Sequence, residues 1–497
     1  MQIAIHWLRR DIRLADNAAL AYAAEGRRLV IPVFIWDPAI LTRSDTGGQR
    51  ISFLKQSLDV LDADLQGRGS RLLVRQGQPE EELLLLAREL GAGLVVFNRD
   101  YEPLARARDQ QVMEALQAAG IVVQSFNSHL LTEPGQVLSG KGEPYTVYTP
   151  FKRAALERLL FAPPSIPGIP ANLRLPEPVL AKVEGLQQGA PANLLEGIEA
   201  HHQPGGEAAA LARLKQFASN LVERNEDGET PIAQYASQRN FPADPGTSRL
   251  SAHLRMGTIG VRTCYQAALQ ASGLLADRPP SPQSHGGESW IGELLWRDFY
   301  YQIMWHYPQV ETEPLQAKYK TLATLDNQSY VDVWAAGQTG YPIVDAGVRQ
   351  MNTLAWMHNR VRMVTASFFC KHLRLDYRLG ERIFMQRLED GDLASNNGGW
   401  QWVAGSGTDA QPYYRIFNPT LQGERYDPAG DYVRQFVPEL ANVPQKYIHS
   451  PWLMPTEVQQ QAGCVIGKHY PAPIVDHKEA RVAALAMYEA VNKAGDR

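Results

Sequence analysis

The first quarter of the chain alternates between short apolar runs and longer amphipathic stretches. The runs Ile3–Trp7, Leu29–Trp36, Leu72–Val74, Leu94–Phe97 and Ile121–Val123 have the length and β-branched composition of buried strands. Between them lie segments with helical spacing of apolar positions: Ala15–Glu25, Gln49–Gly67, Pro79–Leu90 and Pro103–Ala119. Strands joined by such segments predict βαβ units around a parallel sheet, an α/β domain of Rossmann-like type over residues 1–133. No GxGxxG follows any of these strands, so the dinucleotide fingerprint is absent there.

The pattern then changes. Residues 134–206 include FAPPSIPGIPANLRLPEP and QGAPANLLEGIEAHHQPGGE, rich in proline and without clear periodicity, which predicts an extended interdomain linker. From residue 207 to 497 the spacing is mainly helical, in EAAALARLKQFASNLVERN, SRLSAHLRMGTIGVRTCYQAALQA, ESWIGELLWRDFYYQIMWHY, PIVDAGVRQMNTLAWMHNRVRMVTASFFCKHL and GERIFMQRLEDGDLA. An all-α second domain is expected. There is no internal repeat.

Composition bounds the function. The 497 residues are enough for two domains, and 44% hydrophobic with 21% charged is ordinary globular usage. No apolar run reaches the ~20 residues of a membrane span, and MQIAIHWLRRDIRL does not read as a signal peptide. Three scattered cysteines (Cys264, Cys370, Cys464) offer neither a disulfide framework nor a zinc site, so no metal and a cytoplasmic location are expected. The net charge of −4 speaks against a nucleic-acid binder. Two features qualify it: Arg outnumbers Lys 37 to 12, and eight of ten Trp lie after residue 289.

Four segments carry candidate chemistry. Thr247-Ser248-Arg249-Leu250-Ser251 follows a turn-rich stretch and opens a helix; with Ser251 as N-cap it could hold an anion, or be simply a capped helix. Trp290, Glu293 and Trp296 share a helical face beside Arg297, which suits an aromatic, hydrogen-bonding ligand, unless the indoles are core. His358, Asn359, Arg360, Arg362 and Met363 cluster in AWMHNRVRM, either lining a pocket or on a solvated helix face. Residues 346–388 around them hold eight Lys/Arg against two Asp/Glu, with Phe368, Phe369 and Tyr377 interleaved, a pattern that could track a phosphate backbone. LEDGDLASNNGGWQW (388–402) combines Asp390 and Asp392, two adjacent Asn, the pair Gly398-Gly399 and two Trp in an order from which neither helix nor strand gains, a mark of function.

The last segment with GTDAQPYYRIFNPTLQGERYD, together with TGYPIVDAGVRQMNTLAWMHNRVRM, QRNFPADPGTSRLSAHLRMG and WLRRDIRLADNAAL, resembles the cryptochrome/photolyase family. Within it the chain is most similar to class I cyclobutane pyrimidine dimer photolyases, over nearly its whole length. The resemblance implies an α/β antenna domain, a linker, and a helical domain holding FAD and damaged DNA. It implies light-driven repair by FADH−, with a photosensor role disfavoured by an intact substrate set and by the lack of a long polar tail. By position in the motifs, Tyr235, Thr247, Ser248, Leu250 and Ser251 would hold the FAD phosphates and adjoining parts. Arg362, Asp390, Asp392 and Asn396 would surround its ring and ribose. The implied dimer pocket is Glu293, Trp296, Asn359, Met363 and Trp402, with Arg239 beside it. A (6-4) lesion is disfavoured, since the family's His pair for it reads His358-Asn359 here.

Two departures stand out against the family pattern. Its electron-supply chain has three tryptophans; Trp400 matches the first, but Tyr377 and Thr324 stand at the others. Family members with a folate antenna usually have Asn-Glu where this chain has Leu104-Ala105, which favours an 8-hydroxy-5-deazaflavin (8-HDF) over folate (MTHF), with an empty site or a second flavin as the alternatives. Trp36, Asp37, Asp100 and Glu102 would be its contacts. A monomer acting on dimer-containing DNA, away from membranes, is expected.

Overall fold

The computed structural model describes residues 2–198, 203–218, 231–272 and 282–495. Five parallel strands, β1 (Ile3–Leu8), β2 (Leu29–Trp36), β3 (Leu73–Gln76), β4 (Ala92–Asn98) and β5 (Val122–Phe126), form one sheet in the order β3-β2-β1-β4-β5. The crossovers carry α1 (Ala18–Ala24), the short α2 (Pro38–Leu41) with α3 (Gly48–Gln66), α4 (Pro79–Leu90) and α5 (Pro103–Ala118). The two-residue period of the strands sorts their side chains into two cores. Ala4, Leu8, Val30, Phe34, Leu94 and Val96 pack with α1 and α3. Ile5, Trp7, Ile31, Val33, Val95 and Phe97 pack with α4 and α5 on the other face. The α/β expectation holds, and α4 and α5 begin at their prolines, which suit the first turn because they lack an N–H.

The proline-rich segment is more structured than its composition predicts. It contains α6 (Tyr148–Phe161) and α7 (Glu177–Gly185). Beyond α7 it guards the sheet edge: Val74 N–H donates to the Gln187 side chain at 2.9 Å and Gln76 N–H to Gln188 at 2.8 Å. These bonds occupy β3 donors that an edge strand would otherwise leave open.

The rest of the described chain is helical: α8 (Glu207–Ala218), α9 (Pro231–Gln238), α10 (Ser251–Met256), α11 (Val261–Ala271), α12 (Pro282–His306), α13 (Gln328–Ala335), α14 (Pro342–Leu354), α15 (Asn359–Ser367), α16 (Tyr377–Arg387), α17 (Leu393–Ala404), α18 (Pro419–Tyr426), α19 (Asp431–Phe436), α20 (Thr456–Gln461) and α21 (His477–Gly495). The helix expected through residues 219–225 lies outside the described residues. The long stretch from Pro342 to His372 is not one helix. It breaks at Ala355, which takes a left-handed φ of 50°, resumes at α15 and ends in a π-helical turn, Phe368–His372.

Two compact units result. The first is residues 1–236, 248–308 and 389–391; the second is 237–247, 309–388 and 392–497. The division by compactness therefore runs through the helical region rather than at residue 207. The second unit has its own core, built around Trp334, Val344, Phe368, Phe369, Trp400 and Tyr432. Among the described residues no helix is long and apolar enough to cross a membrane.

Candidate functional site

The residues singled out in the sequence are divided between the units, and each set has its own geometry. In the first unit, α12 carries Trp290, Glu293 and Trp296, but the two indoles do not flank a common ligand space. Trp290 is buried against Phe217, ring centroids 5.0 Å apart, and is core. Trp296 is half-buried and lies flat on Tyr148 of α6, centroids 3.6 Å apart at 11°. Glu293, half-buried, shares the Trp296 side of the helix. Arg297 is committed elsewhere, donating to the His129 carbonyl at 2.6 Å. Tyr235 is buried edge-on to Phe217 at 5.8 Å.

Ser251 is not an N-cap. Arg249 adopts a left-handed φ of 51°, which moves the cap to Leu250 and makes Ser251 the first, exposed residue of α10. The Ser248 hydroxyl accepts from Leu250 N–H at 3.4 Å. Asp390 is buried next to Gly391, whose carbonyl accepts from the Arg255 guanidinium at 2.8 Å.

At the carboxyl ends of β1 and β4, where the strand order reverses, Arg10 donates to Asp100 at 3.2 Å and Glu102 at 2.7 Å. Burial works to raise the Asp100 pKa, but the guanidiniums of Arg10, Arg108, Arg255 and Arg9 hold it below its usual value. Burial raises that of Asp37, which accepts from Ala39 N–H at 2.9 Å. Trp36 sits in the core, with its indole N–H buried and lacking a partner among the described residues.

In the second unit, the segment with the glycine pair is helix α17 after all. Asp392 caps it, accepting from Ser395 N–H at 3.0 Å, and Gly405 ends it in a left-handed turn with φ 78°. Asn397 donates to the Val310 carbonyl at 2.8 Å and Gln401 to the same oxygen at 3.1 Å. These caps and anchors outweigh the glycine cost of about 1 kcal/mol each. Asn396, half-buried, donates an amide N–H to the Glu381 carbonyl at 2.9 Å, and its Oδ1 is an acceptor.

Trp400 is buried among Phe384, Phe369 and Trp334, with centroids at 5.0, 5.6 and 6.2 Å. Tyr377, buried at the start of α16, has no hydrogen-bond partner for its hydroxyl among the described residues. Burial and the Glu381 carboxylate push its ionisation well above the usual value. Thr324 is half-buried before Leu325.

His358 caps α15, accepting from Arg360 N–H at 3.2 Å, and Asn359 is exposed as that helix's first residue. Arg362 donates to the Met357 carbonyl at 2.8 Å. Met363 and Trp402 lie half-buried on the same apolar core, α15 packing against α17.

Three cations of the basic window 346–388 are already engaged. Arg349 pairs with Glu439 at 2.7 Å, Arg378 pairs with Asp376, and Lys371 is buried, donating to the Arg415 carbonyl at 3.0 Å. The cluster that does exist joins Arg360 to Arg239, Arg415 and Arg425. Burial first, and then these three guanidiniums, lower the pKa of Arg360. Arg360 donates to Asn240 at 2.6 Å and lies over the Tyr426 ring at 4.4 Å. Only Arg360 of the four falls inside the window. Asn240, Tyr426 and Tyr148 were not singled out individually: Asn240 and Tyr426 lie inside the motifs that carry the family resemblance, and Tyr148 lies in the segment read as linker.

Fold and side chains together define a protein with an α/β part and a helical part, the latter with a tryptophan- and arginine-rich set on α15–α18. Residues 4–171 match the family model for DNA photolyase, and residues 290–490 that for the FAD binding domain of DNA photolyase. A deoxyribodipyrimidine photo-lyase of Salmonella typhimurium is 39% identical over 98% of both chains. A solved class III photolyase from Agrobacterium tumefaciens has a TM-score of 0.86 at 39% identity, covering 99% of this chain and 98% of its own. A Synechocystis cryptochrome also has a TM-score of 0.86, at 29% identity, covering 98% of this chain and 99% of its own. The chain belongs to the cryptochrome/photolyase family.

Proposed function

We propose that this chain is a light-driven DNA repair enzyme that splits cyclobutane pyrimidine dimers with reduced FAD. The observation that carries the reading is the end-to-end similarity to a deoxyribodipyrimidine photo-lyase. Bound and reduced, FAD supplies the photoexcited electron that opens the cyclobutane ring and takes it back afterwards. The donor set suits that group. Asn396 has its N–H committed to a carbonyl, so the oxygen it has left can accept from a protonated ring nitrogen. In this reading Tyr235, Thr247, Ser248, Leu250 and Ser251 hold the phosphates and adjoining parts, and Arg362, Asp390 and Asp392 join Asn396 around the ring and ribose.

A dimer must leave the duplex stack to react, and unstacking costs least at a damaged site. Trp296 and Trp402 offer it apolar faces, each contact worth roughly 1–3 kcal/mol per base, with Met363 beside them. Glu293 and Asn359 hydrogen-bond its carbonyl and imide edges. Arg239, Arg360, Arg415 and Arg425 supply the phosphate grip, which makes binding salt-sensitive and largely independent of sequence. Residues 1–133 then serve as the antenna domain, 134–206 as the connection and 207–497 as the FAD- and DNA-binding part, a functional division that cuts across the compact units. For the antenna we favour 8-HDF over folate. Supporting this are Leu104-Ala105 and the position of Asp100 and Glu102 at the strand-order reversal, where α/β sheets bind ligands.

The test is dark binding to matched oligonucleotides with and without one thymine dimer. The reading expects a strong preference for the dimer, reduced in Trp402→Ala and Asn359→Ala. It also expects binding to intact DNA to fall steeply with salt. Equal affinity for both oligonucleotides would contradict it.

A further inference from the structure

We propose that Tyr148 is a positioning residue for lesion recognition, holding the Trp296 indole in the plane on which a flipped-out base stacks. The proposal rests on the reading of Trp296 as a lesion contact. Tyr148 opens α6, a helix in the segment whose composition reads as linker, and α6 packs on α12. Its ring is nearly parallel to that of Trp296, at the 3.6 Å spacing of direct face-to-face contact. Its hydroxyl donates to the Gly292 carbonyl at 2.5 Å, about one turn before Trp296 on the same helix. The tyrosine is thus fixed to the backbone of α12 and to the indole four residues further on.

The approach is close. A Cβ added at Gly292 would stand 3.4 Å from the Tyr148 oxygen and 3.2 Å from Lys152 Nζ. Phe299 closes the sandwich from the side, edge-on to Tyr148 at 5.7 Å and to Trp296 at 5.6 Å. Tyr148 is 8% exposed, whereas Trp296 stays half-open. One indole face is therefore taken up by a buried partner, and what remains open is held in one orientation before any ligand arrives. Ordering a large side chain at an interface costs enough to change affinity about three- to tenfold. A prearranged indole avoids that cost.

A packing role alone would lower stability without distinguishing damaged from intact DNA; a positioning role changes the ratio of the two affinities. The experiment measures dark binding of the flavin-loaded enzyme to a fluorescent oligonucleotide with one thymine dimer and to its undamaged twin. It is accompanied by repair rates at limiting and saturating DNA. Tyr148→Leu should weaken dimer binding about three- to tenfold and intact-DNA binding by less than twofold, with the loss in KM rather than kcat. Tyr148→Phe, which keeps the ring, should restore most of the affinity. Should the leucine variant not fold, Tyr148→Met is expected to show the same split. Equal loss on both DNAs, or none on the dimer, overturns the proposal. If Trp296→Leu itself leaves dimer affinity unchanged, the reading of Trp296 fails instead.

Discussion

Gly380, inside α16, is the slot that admits the Trp400 indole, and adding one methyl there has a calculable cost. A Cβ at Gly380 would stand 2.1, 2.6 and 2.8 Å from three carbons of the six-membered ring of Trp400. Ordinary carbon contacts lie near 3.5–4.0 Å. The indole is 2% exposed and hemmed in by Phe384, Phe369 and Trp334, so it cannot retreat without moving other rings. Overpacking of this kind costs about 1–3 kcal/mol. Replacing a helix-interior glycine by alanine returns about 1 kcal/mol. Gly380→Ala should therefore destabilise by up to about 2 kcal/mol, read as a lower urea midpoint with an unchanged slope. The same substitution made in a Trp400→Phe background meets a smaller ring and should be neutral or stabilising. The difference between the two backgrounds isolates the contact. An equal effect in both, or full stabilisation of the wild type, would refute this reasoning.

Tyr377→Trp should raise the yield of flavin photoreduction in the oxidised enzyme. A tyrosine relay must shed its phenol proton, and the Tyr377 hydroxyl has no acceptor among the described residues; equal transient-absorption yields would dismiss the point. Ala355→Gly should stabilise by about 0.5–1 kcal/mol, because an alanine at φ 50° pays a left-handed penalty that glycine escapes; the check is a rise of the thermal midpoint. Asp11 is buried, and although burial alone would raise its pKa, hydrogen bonding and charge from His6, with bonds from Arg9 N–H and Asn98, hold it at about 2. Its stabilisation, roughly 2 kcal/mol, is complete above the unfolded value near ~3.9 and is lost as pH falls through the folded value. Urea midpoints between pH 5 and pH 2, as an order-of-magnitude window, should fall less steeply in Asp11→Asn than in wild type.

The α/β part was legible because each strand carries apolar residues on both faces and three of the helices, α2, α4 and α5, begin at a proline. Where the reading missed, a long-range contact or a local strain had overridden the pattern. The glycine-containing α17 is helical through bonds from Asn397 and Gln401 to the Val310 carbonyl, 87 and 91 residues away in sequence. The left-handed Arg249 moved the cap off Ser251. The charge excess over residues 346–388 is partly neutralised or internal, since Arg349 pairs with Glu439, Arg378 with Asp376, and Lys371 is buried. Asn359, Asn396, Trp400 and Trp402 were proposed from the order of residue types in their motifs and from the family resemblance. Tyr148 was hidden by proline-rich neighbours on either side of its helix.

Light-driven dimer splitting can be measured directly. Purified protein carrying reduced FAD is mixed with an oligonucleotide containing a single thymine dimer, and intact strand is quantified after blue light and after an equal time in the dark. Conversion to intact thymines is expected under light and none in the dark. Dimers that are bound, with flavin present, yet persist through illumination would contradict it.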